Sequence, residues 1–242
     1  MQLLPGSLTA DHISVLKEYW NNNHQYAYVN GRPVGTHPDV GRYPHIDQRL
    51  LIKPGSRAHT ILKNIVEQHF APGTNFWANY QRQICPHALH VDEYGKDRTQ
   101  PTWTMIFALD TEPRFKVYVF KELFNSCADI EPYFQQRVGQ PPVSDFSSRE
   151  DVEHNLDCYD PQANRCDHLE LDGVWSYQAG DGILFDTNAI HTTSYWVKHT
   201  DLKIRDLVQL HIGAAEETSY DREAQANKGE VVPDLADMRV KQ

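Results

Sequence analysis

His90 and Asp92 stand two residues apart in Pro86-His87-Ala88-Leu89-His90-Val91-Asp92-Glu93-Tyr94-Gly95, where an apolar pattern gives way to a polar loop. Much later, Gly180-Asp181-Gly182-Ile183-Leu184-Phe185-Asp186-Thr187-Asn188-Ala189-Ile190-His191 brings in a further imidazole. Two imidazoles and one carboxylate on one face hold Fe(II) while leaving coordination positions open for substrates. Arg205 follows in Lys203-Ile204-Arg205-Asp206-Leu207-Val208-Gln209-Leu210-His211. In so apolar a strand pattern a guanidinium is costly to bury without an anion. His87 competes with His90 as a ligand, but no carboxylate stands at the matching offset. Blander origins stay open: His-x-Asp arises by chance in a chain with 13 histidines, and Arg205 could face water from an edge strand.

The elements that must position these groups are partly legible. Thr9 can cap a helix in which Ile13, Leu16 and Tyr19 or Trp20 recur at helical spacing through about residue 21. Residues 22–55 show no firm period, with one short apolar element suggested by Ile46, Leu50, Leu51 and Ile52. Ser56 starts a second helix with a stripe of Ile61, Leu62, Ile65, Val66 and Phe70, ended by Ala71-Pro72-Gly73. From Asn75 the period becomes two: Phe76, Ala78, Tyr80 and Arg82 face one way, and Trp77, Asn79, Gln81 and Gln83 the other. Strand-like runs follow at 102–109, 115–120, 174–177, 183–185, 190–197 and 203–213. The same alternation puts Thr104, Ile106 and Ala108 on one wall, with Thr193 and His211 on strands near the metal.

This pattern predicts a mainly β fold with flanking helices and a jelly-roll core, also called a double-stranded β-helix. One domain is expected over 1–242: a helical N-terminal part (1–74), core segments (75–121 and 173–213), an insertion or lid (122–172), and a polar tail (214–242). His154, Cys158, Cys166 and His168 within the insertion raise a structural zinc as an alternative to solvated loop residues. A net charge of −10 without a basic block speaks against nucleic acid. No apolar run is long enough for a membrane span, and no basic, apolar leader opens the chain. Four scattered cysteines suit reduced thiols, so a cytoplasmic location is expected.

The order His90-x-Asp92, His191, Arg205 resembles that of the Fe(II)/2-oxoglutarate-dependent dioxygenases, over roughly Phe76 to Gly213. The resemblance implies iron held by His90, Asp92 and His191, with 2-oxoglutarate and O2 on the open positions. It places Arg205 as a two-pronged anchor for the distal carboxylate of 2-oxoglutarate. Tyr80 and Thr193 are further candidates for the cosubstrate pocket, although Tyr80 is as readily a packed core residue. The implied reaction is hydroxylation or a related oxidation of an unactivated C–H bond, with release of succinate and CO2. In related halogenases a small residue replaces the carboxylate, so Asp92 favours hydroxylation, desaturation or ring closure. A small-molecule, amino-acid-like substrate is expected, with the oligomeric state unspecified. Two rivals remain: a cupin-type metalloenzyme without 2-oxoglutarate, and a non-catalytic protein that holds metal or an organic acid.

Overall fold

The computed structural model describes residues 1–33, 44–83, 87, 89–92, 102–143, 165–194 and 204–213. Among the described residues ten strands carry the fold: β1 (Gln2–Leu4), β2 (Tyr28–Pro33), β3 (Pro44–Leu51), β4 (Phe76–Gln83), β5 (Trp103–Ala108), β6 (Glu112–Leu123), β7 (Leu171–Tyr177), β8 (Gly182–Asp186), β9 (Ala189–Thr193) and β10 (Arg205–Ile212). They form a seven-stranded sheet, in the order β1-β8-β5-β10-β4-β3-β2, and a three-stranded sheet, β7-β6-β9. Every pairing is antiparallel. This is the expected jelly-roll core, with His90 bridged to β9 as a remnant of a further strand.

Helices cover the outside of the large sheet. In α1 (Ala10–Asn23) the Thr9 hydroxyl accepts from the His12 backbone N–H, and the His12 ring accepts from the Thr9 N–H. In α2 (Arg57–His69) Ser56 caps the His59 N–H in the same way. Leu16, Trp20, Leu62, Ile65 and Val66 then pack on Ala78, Tyr80, Met105, Phe107, Val208 and Leu210 of the sheet. A second core fills the space between the sheets, where Ile106, Ala108, Ile183, Phe185 and Leu207 meet Val117, Val119, Trp175, Tyr177 and Ala189. The third lies outside the small sheet: α3 (Ile130–Gln136), Cys166 and Leu169 pack on Tyr118, Phe120, Ile190 and Val91.

Three departures from the sequence reading have physical causes. The first 74 residues hold three strands besides their two helices. β1 and β2 form the two edges of the large sheet, where one-sided pairing imposes only a weak alternation signal, and β3 lies between β2 and β4 over the short apolar element expected around Ile46 to Ile52. β6 begins before Phe115, because a register shift between Glu112 and Lys116 absorbs Pro113 near its start. The segment expected as an insertion contains α3 and the start of β7, while residues 144–164 and the tail from 214 lie outside the described residues.

The Gly180-Asp181-Gly182 turn sets the approach to β8 and β9. Gly180 donates to the Ala108 carbonyl, accepts from the Leu8 N–H, and has φ of +91°. A Cβ at this position would lie 2.5 Å from the Leu8 carbonyl oxygen. Gly180→Ala is therefore expected to cost about 1–3 kcal/mol, lowering the melting temperature by roughly 5 °C in calorimetry. An unchanged melting temperature would contradict this contact.

Candidate functional site

Val91 is the pivot of the triplet His90-Val91-Asp92. Its side chain is buried in the third core, outside the small sheet. Alternation then turns His90 and Asp92 toward the space between the sheets. The His90 N–H donates to the His191 carbonyl at 3.0 Å, and the His191 N–H donates back at 2.9 Å. The Asp92 N–H donates to the Thr187 carbonyl at 3.0 Å, tying the triplet to the turn before β9. These bonds bring together residues that lie far apart in the sequence.

The resulting cluster is compact. One donor atom each from His90, Asp92 and His191 lies within 4.8 Å of the others, and this is the one such group found among the described residues. Asp92 Oδ1 is 3.9 Å from both His90 Nε2 and His191 Nε2. Its other oxygen, Oδ2, accepts from the Thr104 hydroxyl at 2.6 Å and from Gln209 Nε2 at 3.4 Å. One oxygen is thus left toward the imidazoles while its twin is pinned. His191 Nδ1 donates to the Ala189 carbonyl at 3.0 Å, which leaves the Nε2 lone pair toward Asp92. His211 Nδ1 lies 3.9 Å from Asp92 Oδ2, and its ring lies tilted against Trp77, so it flanks the cluster on the pinned side.

Burial alone would raise the Asp92 carboxyl, but the imidazoles of His191, His211 and His90 and the Thr104 hydroxyl outweigh it and hold it at about 2. Burial pushes His191 below the ordinary imidazole value, opposed in part by Asp92 and the Ala189 carbonyl. Near neutral pH the cluster therefore offers a carboxylate and a neutral imidazole, the donor set of a non-haem Fe(II) site.

Arg205 opens β10 and is 1 % exposed. Its guanidinium lies over the rings of Tyr177 (4.9 Å) and Phe115 (5.9 Å), and its Nη2 donates to Gln83 Oε1. The arginine is thus buried inside the barrel, not laid on an edge strand. Thr193 also faces inward on β9, where its hydroxyl accepts from the His87 N–H at 2.7 Å. Tyr80 corrects the sequence reading. Its ring packs on Trp20 in the helix-side core, and burial there pushes its hydroxyl pKa up. Strand alternation points it away from the metal cluster, so it is the packed tyrosine of the two alternatives.

Sequence reasoning passed over the inward face of β4. Asn79, Gln81 and Gln83 lie there, all buried, opposite Gln209, Leu207 and Arg205 of β10. The Asn79 carboxamide is 0 % exposed, and neither its nitrogen nor its oxygen has a hydrogen-bond partner among the described residues. A buried carboxamide in that state costs about 1–3 kcal/mol per group, and it suits a polar occupant beside the His90, Asp92 and His191 cluster. The signal was present in the sequence as a strand face carrying three amides in alternation. The zinc alternative falls partly outside the described residues, since only Cys166 and His168 are described. Cys166 is buried, and burial pushes its thiol up to about 12, so it packs as an apolar side chain.

No family model and no curated protein matches the chain. Solved structures do resemble it. The non-heme α-ketoglutarate-dependent epimerase SnoN from nogalamycin biosynthesis aligns with a TM-score of 0.50 and 13% identity, over 87% of this chain and 77% of that one. The α-ketoglutarate-dependent carbocyclase SnoK from the same biosynthesis gives 0.49 and 14%, over 91% and 85%. A Pseudomonas putida prolyl-4-hydroxylase gives 0.45 and 12%, over 87% and 90%. At these identities the likeness to SnoN speaks for the shared architecture alone, and the chemistry must rest on the residues above. None of the described helices is long and apolar enough to cross a membrane.

Both lowered groups bind fewer protons folded than unfolded, so each contributes stability that is lost as pH falls through the window below its ordinary value. For His191 that window opens below 6.5, and for Asp92 below 3.8. The urea midpoint of the metal-free protein should fall between pH 7.5 and 5.5, and fall less in His191→Gln. An equal fall in both proteins would contradict this.

Proposed function

We propose that the chain is a non-haem Fe(II)/2-oxoglutarate-dependent oxygenase acting on a small molecule. The observation that carries the reading is the gathering of His90, Asp92 and His191 inside the barrel, with a buried arginine on β10 in the same interior. His90 Nε2, Asp92 Oδ1 and His191 Nε2 would hold the iron. Arg205 would take the distal carboxylate of 2-oxoglutarate through its guanidinium fork, with the Thr193 hydroxyl lining the same interior. When bound, iron and cosubstrate supply oxidative decarboxylation to succinate and CO2, coupled to oxidation of a C–H bond.

The chain's own residues do the rest. Thr104 and the Ala189 carbonyl orient Asp92 and His191, so the donor atoms meet without rearranging. Phe185, whose ring lies 4.8 Å from that of His191, and Val119, paired with His191 across the ladder, exclude water from the metal's inner flank. Asp92 occupies the position that a halide would need, which favours hydroxylation, desaturation or ring closure. The polar inner face of β4 suits a hydrogen-bonding substrate, amino-acid-like in size, over a hydrocarbon.

Anaerobic titration tests the reading. Fe(II) followed by 2-oxoglutarate should develop the weak visible charge-transfer band of the chelate, and His191→Ala should abolish it. Arg205→Ala should weaken 2-oxoglutarate binding roughly 10- to 100-fold while iron binding persists. A wild type without the band, or an Arg205→Ala protein with unchanged cosubstrate affinity, would overturn the corresponding assignment. Succinate formation over a panel of small substrates separates this enzyme from a cupin-type or non-catalytic metal protein.

A further inference from the structure

An unbroken run of carboxamides crosses the barrel from Arg205 to Asp92. Arg205 Nη2 donates to Gln83 Oε1, and Gln83 Nε2 donates to Gln81 Oε1 at 2.7 Å. Gln81 Nε2 donates to Gln209 Oε1, and Gln209 Nε2 donates to Asp92 Oδ2. All three glutamines are buried. Each turns its oxygen toward the guanidinium and its nitrogen toward the carboxylate, so every amide dipole points the same way between a cation and an anion. In a low-dielectric interior such aligned bonds polarise and strengthen one another.

A core this size has simpler ways to fill the same volume with apolar side chains. Buried amides are costly unless all their bonds are met, and here they are met largely by one another and by the two charged groups at the ends. We infer that Gln81, Gln83 and Gln209 are positioning residues: the chain fixes Asp92 Oδ2 and the Arg205 guanidinium relative to each other across the pocket. This rests on the reading of Asp92 as a metal ligand and Arg205 as a carboxylate anchor. Gln81 is the decisive link, because its side-chain bonds reach neither Asp92 nor Arg205. A chain transmits the loss of its middle link to both ends, whereas a packing residue leaves them alone.

The test uses the full chain with Mn(II) as metal probe, followed by electron paramagnetic resonance, and 2-oxoglutarate titrated calorimetrically into Mn(II)-loaded protein. Methionine matches glutamine in length and makes no comparable hydrogen bonds, so each substitution removes the amide with little change in volume. Gln209→Met should weaken Mn(II) about tenfold, the lower range for a lost partner of a metal ligand. Gln81→Met should weaken both Mn(II) and 2-oxoglutarate several-fold, and the Gln81→Met/Gln209→Met pair should bind Mn(II) no more weakly than Gln209→Met alone. If Gln81→Met does not fold, Gln83→Met cuts the chain one link closer to Arg205; because Gln83 touches Arg205 directly, only its Mn(II) affinity is read, a several-fold loss being expected and no change overturning the inference. Wild type binding Mn(II) normally, with Gln81→Met unchanged in both affinities or with additive losses in the pair, overturns this inference alone. A wild type that takes up no Mn(II) overturns the metal site and the inference together.

Discussion

The reciprocal backbone hydrogen bonds between His90 and His191 are the constraint on which the rest of the site depends. They form only if a short extended piece after β4 lies against β9 in one register. A slip of one residue would turn Val91 inward and both ligands outward, because side chains alternate strictly along extended backbone. The register is held from two sides: by burial of Val91 in the third core and by the Asp92 N–H bond to Thr187. The turn at Gly180 and the antiparallel pairing of β8 with β5 fix where β9 begins. The gathering of His90, Asp92 and His191 is thus a product of sheet registry, with local loop sequence in a minor role.

The barrel interior inverts the usual arrangement. Its outer faces, covered by α1, α2 and α3, carry the most apolar packing, while the inner face near the cluster holds arginine, histidine, threonine and four carboxamides. Such an interior is less stabilising than an apolar one of the same volume, since each polar group must recover the hydrogen bonds it gave up in water. Natural folds depart from the apolar-core rule at places where function requires it. Here the polar groups share the space between the sheets with apolar ones such as Val117, Trp175 and Ile183, which supply the packing.

Much of this was legible in the sequence, and the gaps have definite causes. Thr9 and Ser56 announced both long helices, because a capping oxygen before an amphipathic run is a local signal. The period-two pattern located β4, β5 and β10, and the spaced ligands pointed to the cluster that the fold assembles. The strands β1 and β2 escaped because each pairs on one side only at an edge of the sheet, and β3 showed only as a short apolar element. Tyr80 was offered to the pocket by the resemblance to the dioxygenases, and alternation gives two faces without saying which one is inside. The glutamine chain was out of reach for a related reason: its links join β4 to β10, and only the pairing register reveals that Gln81 and Gln209 meet.

The central claim is that one ion sits among His90, Asp92 and His191 with a dicarboxylate reaching from it to Arg205. Anomalous diffraction at the manganese edge, from anaerobic crystals grown with Mn(II) and 2-oxoglutarate, addresses it most directly. The account predicts a single strong peak within bonding distance of His90 Nε2, Asp92 Oδ1 and His191 Nε2, and diacid density ending on the Arg205 guanidinium. A peak at any other side chains, or a diacid bound away from Arg205, would contradict it.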